Sequence, residues 1–317
     1  MFPQFLLLQH CPHRLRARRA AIGLSVLALF ALSLVAGGPA QAETVSSGTP
    51  ALEQTPLDGA SLPLSAGGSM LVNPALAADY AQRSLLAEAW TGPDGNQWRL
   101  GLLDGGSTLG KGGLFWDRWN TASAGTDQLS YVWATSLGTA LRLGAGIHYR
   151  NQFPVQTVPP GTAQPAVSQA WLGSAGLTVR LTDWLQVAGS IRDLPIGGDL
   201  SKSLSTLANT GLLVQQGAFL LSGEGLFQSP PGQAGDLMFY GLQGGAVLRL
   251  GGVWQVQAAG RVYRSWDRPG WWEAAAGVSA GYAYNGNLFR LGWFRTRSSP
   301  AEPPVSHYGL SLVWNFE

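Results

Sequence analysis

Residues Gly309–Phe316 read Gly-Leu-Ser-Leu-Val-Trp-Asn-Phe, and every second residue of this stretch is large and apolar. These apolar positions are Leu310, Leu312, Trp314 and Phe316. Successive side chains of a β-strand point to opposite faces, so the four side chains share one face of a strand. Such a face covers either a protein core or a lipid phase, and the rest of the sequence decides between the two.

The same period of two recurs along the chain. Between Leu141 and Arg150 one face is apolar, and the other carries charged, small or polar residues. Between Trp272 and Tyr284 the polar face holds Glu273 among glycine, alanine and serine. Further segments alternate in the same way: 171–181, 185–191, 242–250 and 254–262. After residue 42 there is no run of 18 apolar residues that would form a transmembrane helix.

Three features favour a membrane barrel over a soluble β-sandwich. Many of the alternating segments run 10 to 14 residues, whereas soluble strands average about 5–6 and a tilted membrane strand needs about 9–11. Aromatic residues lie at or near the ends of the apolar faces, as in the interfacial girdles of outer-membrane barrels. The connections alternate between short turns and longer loops, which is typical of such barrels.

The sequence therefore predicts an all-β fold, a closed antiparallel transmembrane β-barrel of about fourteen strands, with twelve to sixteen compatible with the pattern. Short turns follow the even-numbered strands, and the last of them contains Asn285-Gly286, a strong hairpin signal. Longer loops, such as 152–170, mostly follow the odd-numbered strands. Because an unpaired backbone group in hydrocarbon costs several kcal/mol, the sheet must close, and the last strand must pair with the first. Leu310, Leu312, Trp314 and Phe316 are then the lipid face of the closing strand.

Composition agrees with an exported membrane protein. Only 12% of the residues are charged, against about 25% in a typical soluble domain. Residues 1–42 have the order of a secretory signal peptide, because a basic stretch (13–19) precedes an apolar run of 17 residues, Ala20–Ala36. Ala40 and Ala42 form a cleavage site of the A-x-A type. An uncleaved membrane anchor is the alternative.

Cleavage after Ala42 changes how the whole composition is interpreted. It would remove four arginines and no acidic residue, so the formal net charge would fall from +2 to −2. The basic character of the full chain therefore indicates no nucleic-acid partner. It would also remove Cys11, the one cysteine, which excludes a disulfide scaffold. We divide the chain into a signal peptide (1–42), an N-terminal periplasmic or lumenal segment (43–84) and the barrel (85–317).

The alternation assigns ten charged or titratable side chains to the lumen. They are Arg99, Arg142, His148, Arg180, Arg192, Glu224, Arg249, Arg261, Glu273 and Arg290. An arginine on the lipid face at the bilayer midplane would cost about 2–4 kcal/mol, and the register keeps all of these off that face. We interpret them first as a structural ladder that fills or hydrates the bore. An anion-favouring pathway, or contacts with lipopolysaccharide or a ligand, are the alternatives.

The N-terminal segment contains a short helical motif ahead of the first strand. Asn73 is a suitable N-cap, Pro74 suits the first helical position, and 75–81 favours a short helix. A plain periplasmic tail is the alternative. Small residues followed by Asn73, Pro74 and Ala75 before a long barrel resemble the outer-membrane long-chain fatty-acid transporter superfamily, which includes barrels associated with type IX secretion. The resemblance implies fourteen strands and a hatch, formed by this segment inside the lumen. Leu76 stands where the family usually has glycine.

Catalytic chemistry is not indicated. Ser306 and His307 are neighbours near the start of the last strand. This is the exterior side of the barrel, where an outer-membrane lipid hydrolase would use a Ser–His pair. Adjacent residues of a strand face opposite sides, so this pair is a poor dyad. The sequence has no metal-ligand spacing, phosphate loop or acidic calcium loop, and we expect no cofactor.

The predicted function is passive transport of small hydrophobic molecules through a hatch-gated lumen in the bacterial outer membrane. A non-transporting scaffold or secretion-associated protein, binding partners through its exterior loops, is the second hypothesis. A general porin is the third. The expected partners are membrane lipids, lipopolysaccharide, the barrel assembly machinery, whose recognition signal the C-terminal aromatic strand resembles, and a small hydrophobic ligand.

Overall fold

The computed structural model describes residues 68–316 except for 94, 107–109, 122–123, 155–166, 201–203, 230–238, 266–271 and 299–302. The predicted signal peptide and its cleavage site lie outside the described residues. No helix within the described ranges is both long and apolar enough to cross a bilayer.

The described residues form fourteen antiparallel strands that close into one barrel in sequence order, as predicted. The ends are joined by β1 and β14, where Leu85 pairs with Trp314 and Ala89 pairs with Leu310. Closure gives every strand two neighbours, so the sheet has no free edge to expose in lipid. The strands are β1 (Arg83–Gly92), β2 (Gly95–Asp104), β3 (Lys111–Asn120), β4 (Ala124–Leu137), β5 (Leu141–Pro154), β6 (Ser168–Arg180), β7 (Leu185–Gly197), β8 (Leu207–Gln216), β9 (Phe219–Gln228), β10 (Phe239–Leu250), β11 (Trp254–Ser265), β12 (Trp272–Tyr284), β13 (Asn287–Ser298) and β14 (Val305–Phe316).

The two faces of the barrel differ as the alternation requires. Large apolar side chains on the outer face are strongly exposed, with Leu242 71% and Leu291 57% accessible. Inward-facing neighbours such as Gln243 and Arg290 are nearly inaccessible. An apolar outer belt of this extent is stable only against acyl chains, because soluble monomers rarely expose apolar patches of more than a few hundred Å². The outer face is therefore the membrane face.

The connections divide the barrel into a turn end and a loop end. The turn end carries the start of β1, the end of β14 and short turns such as 217–218 and 285–286. The loop end carries longer connections, including the one between β5 and β6. Two loop-end connections are short: β1 ends at Gly92 and β2 begins at Gly95, while β3 ends at Asn120 and β4 begins at Ala124.

One strand pair departs from a regular ladder. The register between β6 and β7 shifts between Trp171 and Leu172 and again between Gly173 and Ala175. On β7, Asp193 adopts φ 56°, which is uncommon for a residue other than glycine. A bulge of this kind re-aims side chains, and it turns the Asp193 carboxylate towards Arg150, 3.2 Å away.

Two short helices lie between residue 68, where the described part of the chain begins, and β1. Helix α1 spans Gly68–Val72, and a 3₁₀ helix spans Pro74–Asp79. The Asn73 side chain caps the second helix by accepting a hydrogen bond from the Ala75 backbone N–H at 3.1 Å, and Pro74 occupies the first turn. The helix is tighter and ends two residues earlier than the predicted 75–81, because Tyr80 is already extended on the way into β1.

Candidate functional site in the barrel lumen

Residues 68–80, which we call the plug segment, lie inside the bore. The 3₁₀ helix packs against the inner faces of β3, β4, β5 and β6, and α1 contacts β4 and β7. Apolar side chains of the segment join apolar residues of the wall near the turn end in one buried cluster. The cluster contains Met70, Leu71, Leu76, Ala77, Ala78, Leu86, Leu103, Phe115, Val132, Ala134 and Val313, with Tyr80 and Leu288 packed against it.

The plug segment comes closest to the barrel wall at two glycines, which have no side chain to block it. A side chain on Gly144 would collide with the backbone of Pro74 and Ala75, and one on Gly176 would collide with the Asn73 amide. Only glycine permits so close an approach of two backbones. The Asn73 Nδ2 group also donates a hydrogen bond to the backbone carbonyl of Leu177 at 3.3 Å. The segment is therefore fitted to β5 and β6 rather than lying loosely in the lumen.

An ion pair at the end of the segment joins the plug to the wall. The Asp79 carboxylate lies 2.7 Å from Arg142 Nη2. Burial raises the pKa of the Asp79 carboxyl above its ordinary value, and the nearby cations Arg142, Arg180 and Lys111 only partly oppose this. Because the Asp79 side chain is 41% exposed, solvent screens its attraction to Arg142, and the ion pair contributes little to holding the plug segment in place.

A buried charge network connects the first three strands. Arg99 lies between two carboxylates, with Nη1 3.0 Å from Glu88 and Nε against Asp117. Ser311 on β14 donates a hydrogen bond to the same Glu88 at 3.2 Å. Because all four groups are nearly inaccessible, the network ties the barrel closure, β1 to β14, to β2 and β3.

A second network lies beside α1. Arg150 binds Asp193 and, through Nε at 2.9 Å, the Gln128 side chain. His148 Nε2 is 2.8 Å from the Ser174 hydroxyl. Between these groups and α1 is a cavity of about 20 Å³, which is the size of one water molecule. The space between this network and α1 is therefore nearly filled.

The remaining residues assigned to the lumen by sequence fall into two groups. The side chains of the first group are buried, and in this group Arg261 lies 3.6 Å from Glu273. The buried set also includes Arg192, Glu224 and Arg290. Arg180 and Arg249 are exposed near the turn end, on the same faces of their strands as buried Thr178 and Val247. These ten side chains do not form one site, since they are distributed around the whole circumference.

The Ser306–His307 pair is separated by the pleat. His307 is buried on the inner face, where its ring stacks on Phe294 with centroids 4.4 Å apart. Ser306 belongs to the alternate set of β14 positions, with exposed Tyr308. Within the described ranges, no group of three or more His, Cys, Asp or Glu side chains could hold a metal ion.

Sequence reasoning did not identify several lumen residues. Period two placed Arg150 on the polar face of its segment. Glu88 and Asp117 share the inner faces of their strands with large apolar residues such as Leu86 and Phe115, so the alternation gives no clear signal there. Asp193 gives no such signal, because the bulge in β7 breaks the period. Asp79 was seen only as part of a helix, and its contact with Arg142 depends on where the segment lies in the bore.

No protein-family model and no curated protein sequence matches the chain. Solved structures do resemble it. The CymD monoaromatic hydrocarbon channel aligns with a TM-score of 0.53 at 14% identity, covering 82% of this chain and 95% of that one. A FadL homologue from Pseudomonas aeruginosa gives 0.54 at 12% identity, covering 89% and 100%. The toluene transporter TbuX of Ralstonia pickettii gives 0.54 at 12% identity, covering 84% and 99%.

Identities this low establish the fold rather than the cargo. The alignments cover 95–100% of each of these three chains. The chain is therefore an outer-membrane β-barrel with the fold of the fatty-acid-transporter-like channel proteins.

Proposed function

We propose that the barrel is a passive route across the outer membrane for small, uncharged hydrophobic molecules, and that the plug segment acts as a hatch that closes the bore to water and ions. The observation that carries this proposal is the docking of the segment into the bore, where its apolar side chains are buried against the wall. Fourteen strands enclose more space than side chains alone can fill. Without the plug segment the barrel would be an open pore, and with the segment docked it becomes selective.

The charges of the lumen support a hydrophobic cargo over an anion. The buried arginines Arg99, Arg150 and Arg261 each lie beside a carboxylate. Paired guanidinium groups offer little attraction to a passing anion, since the partner carboxylate cancels their field. The aligned neighbours are consistent with this direction, because two of them are described as a monoaromatic hydrocarbon channel and a toluene transporter.

Uptake by cells tests the proposal. The full chain is expressed in the outer membrane of cells that lack related channels, and the uptake of N-phenyl-1-naphthylamine, an uncharged apolar probe, is followed by fluorescence. Hydrolysis of the charged compound nitrocefin by a periplasmic β-lactamase reports general leakiness. We expect faster uptake of the apolar probe than in vector cells, with unchanged nitrocefin hydrolysis.

Each other outcome contradicts the proposal in a specific way. Faster nitrocefin hydrolysis as well would indicate a general porin. No gain for either compound, with the barrel correctly assembled, would leave the scaffold hypothesis in its place. In that case binding through the loop-end connections should be tested instead.

A further inference from the structure

A cluster of arginines lies on the outer face of the barrel at the loop end. Arg264 is the second-last residue of β11, and Arg295 and Arg297 are near the end of β13. All three are exposed, and they share the lipid-facing side of their strands with the exposed residues Val262 and Leu291. We call these three residues the rim arginines.

The rim arginines are close neighbours on the two strands that flank β12. Arg264 pairs with Trp272 of β12, and Arg297 pairs with Ala274, the next outward-facing residue of β12. The Arg297 guanidinium lies over the Trp272 ring, 5.9 Å from its centroid. Arg295 lies two residues before Arg297 on the same face of β13. Trp272 therefore stands between the cationic side chains and attracts one of them to the wall.

Aromatic residues mark the depth of the cluster in the membrane. Tyr240, which pairs with Arg264, and Tyr308 are exposed at the same end of their strands. Together with Trp272 they form part of an interfacial girdle, which lies at the level of the lipid headgroups. An arginine that faces lipid is costly at the bilayer midplane and is tolerated only near the interface. The rim arginines therefore lie among headgroups rather than acyl chains.

The positive charge at this end has no counterpart at the turn end. Among the described outward-facing residues of β9–β14, the loop-end half holds these three arginines and no Asp or Glu. The turn-end positions of the same strands hold uncharged residues, including Phe219, Trp254, Tyr284 and Phe316. In outer-membrane barrels the short turns face the periplasm and the longer loops face the exterior. The charge is therefore presented to the outer leaflet.

We propose that the rim arginines form a binding site for the phosphate groups of lipid A, the part of lipopolysaccharide that lies in the outer leaflet. Guanidinium groups bind phosphate through paired, charge-assisted hydrogen bonds. Strands two apart in a sheet are separated by about 10 Å, so Arg264 and the two arginines of β13 can contact different phosphates of one diglucosamine headgroup. The acyl chains of the same molecule then lie along the apolar outer face. The site is outside the bore, so it is independent of the proposed transport.

Titration with bis-phosphorylated, hexa-acylated lipid A tests the site. The protein is purified in detergent, its folding is verified by heat-modifiable gel mobility, and native mass spectrometry measures the bound fraction. We expect Arg264→Gln, Arg295→Gln and Arg297→Gln each to weaken binding roughly fivefold, and the triple variant roughly a hundredfold, as expected for cations beside anionic lipid. Arg118→Gln is the matched control, because Arg118 is also near the loop end of its strand but lies 3.6 Å from Asp127.

Comparison with two other lipids separates this site from general lipid contact. Wild-type protein should bind phosphatidylglycerol, and lipid A from which both phosphates have been removed, on the order of tenfold more weakly. Equal affinity for the dephosphorylated lipid would leave only acyl-chain contact, and equal affinity for phosphatidylglycerol would leave a general site for anionic lipids. Either result overturns the proposal. So does wild-type affinity in the folded triple variant, or a loss in Arg118→Gln equal to that of the single rim variants.

Discussion

At the scale of single residues, the docking of the plug segment depends on the absence of side chains. Gly144 and Gly176 face the bore at the point where Asn73, Pro74 and Ala75 approach the wall. A side chain at either glycine would occupy the volume of the plug backbone. The fit is steric, and it is therefore sensitive to a single substitution.

Gly144→Leu should displace the plug segment and open the bore. We expect faster nitrocefin hydrolysis in cells that carry this variant, because a leucine side chain collides with plug backbone that cannot rotate away. Gly223→Leu is the control, since a Cβ atom there has no neighbour within 4 Å. Equal hydrolysis by wild-type and Gly144→Leu protein would show that the segment does not close the bore.

Asp79 yields a prediction whose sign is not obvious from its ion pair. Its pKa is raised in the docked state, so the docked plug binds a proton more readily than a free one. This contribution to docking is complete below the ordinary value of 3.8 and is lost as the pH rises through the raised value. At neutral pH the ionised carboxyl is therefore docked less favourably than the protonated one, by an amount that solvent reduces because the side chain is 41% exposed.

Asp79→Asn should accordingly dock at least as tightly as wild type at pH 7. Docking is measured by maleimide labelling of an Ala77→Cys variant, since Ala77 is 1% exposed when the plug is in place. We expect labelling of the Asp79→Asn, Ala77→Cys protein to be no faster than that of Ala77→Cys alone. Faster labelling would mean that the attraction of Arg142 exceeds the cost of desolvation.

Arg99 is the residue whose loss should cost the barrel most. Arg99→Leu leaves the buried carboxylates Glu88 and Asp117 without the cation between them, which typically costs about 3–5 kcal/mol. Arg83→Leu is the control on the same two strands, because its pair with Asp104 is more than half exposed and should be worth less than about 1 kcal/mol. Urea unfolding in detergent measures both free energies. Similar losses for the two variants would contradict the role assigned to the network.

At the scale of elements, β14 does two things that its sequence anticipates. It presents alternate residues to lipid, and it closes the barrel by pairing with β1 from Arg83–Phe316 to Thr91–Tyr308. Until that pairing forms, the edges of β1 and β14 would expose backbone groups that hydrocarbon cannot satisfy. Recognition of this strand is thus the step at which assembly is most easily interrupted.

Phe316→Ala should therefore reduce assembly into the outer membrane more than an equivalent loss elsewhere. Phe219→Ala is the matched control, because Phe219 is also an exposed aromatic residue at the turn end, at the start of β9. The folded fraction is measured by heat-modifiable mobility of isolated outer membranes. We expect a severalfold decrease for Phe316→Ala alone. Equal decreases would show that only lost lipid contact matters.

The elements also show what sequence reasoning could and could not achieve. Period two is enforced by the lipid on one side and the lumen on the other, so strand number and facing could be predicted from residues such as Leu141–Tyr149. Asp193 could not be predicted, because a bulge leaves no mark in hydrophobicity. The docking of Asn73 against Gly176 could not be predicted either, because it requires knowing which strands the segment lies against.

At the scale of the whole molecule, the lumen is divided between two walls. One wall, β3–β7, holds the plug segment and buried charge pairs. The other, β8–β13, carries a buried apolar cluster that includes Phe294, Val247 and Leu220, and it has its own buried ion pair between Arg261 and Glu273. Under the proposed function, the plug segment on the first wall closes the bore to ions.

The most direct test of this account is the single-channel conductance of the purified barrel in a planar bilayer, compared with a variant lacking residues 43–80. The account predicts that the full protein is closed to ions or nearly so, and that the deletion variant forms a steady ion-conducting pore. If the full protein conducts as well as the deletion variant, or if neither conducts although both are folded, the plug segment does not close this barrel and the central claim is wrong.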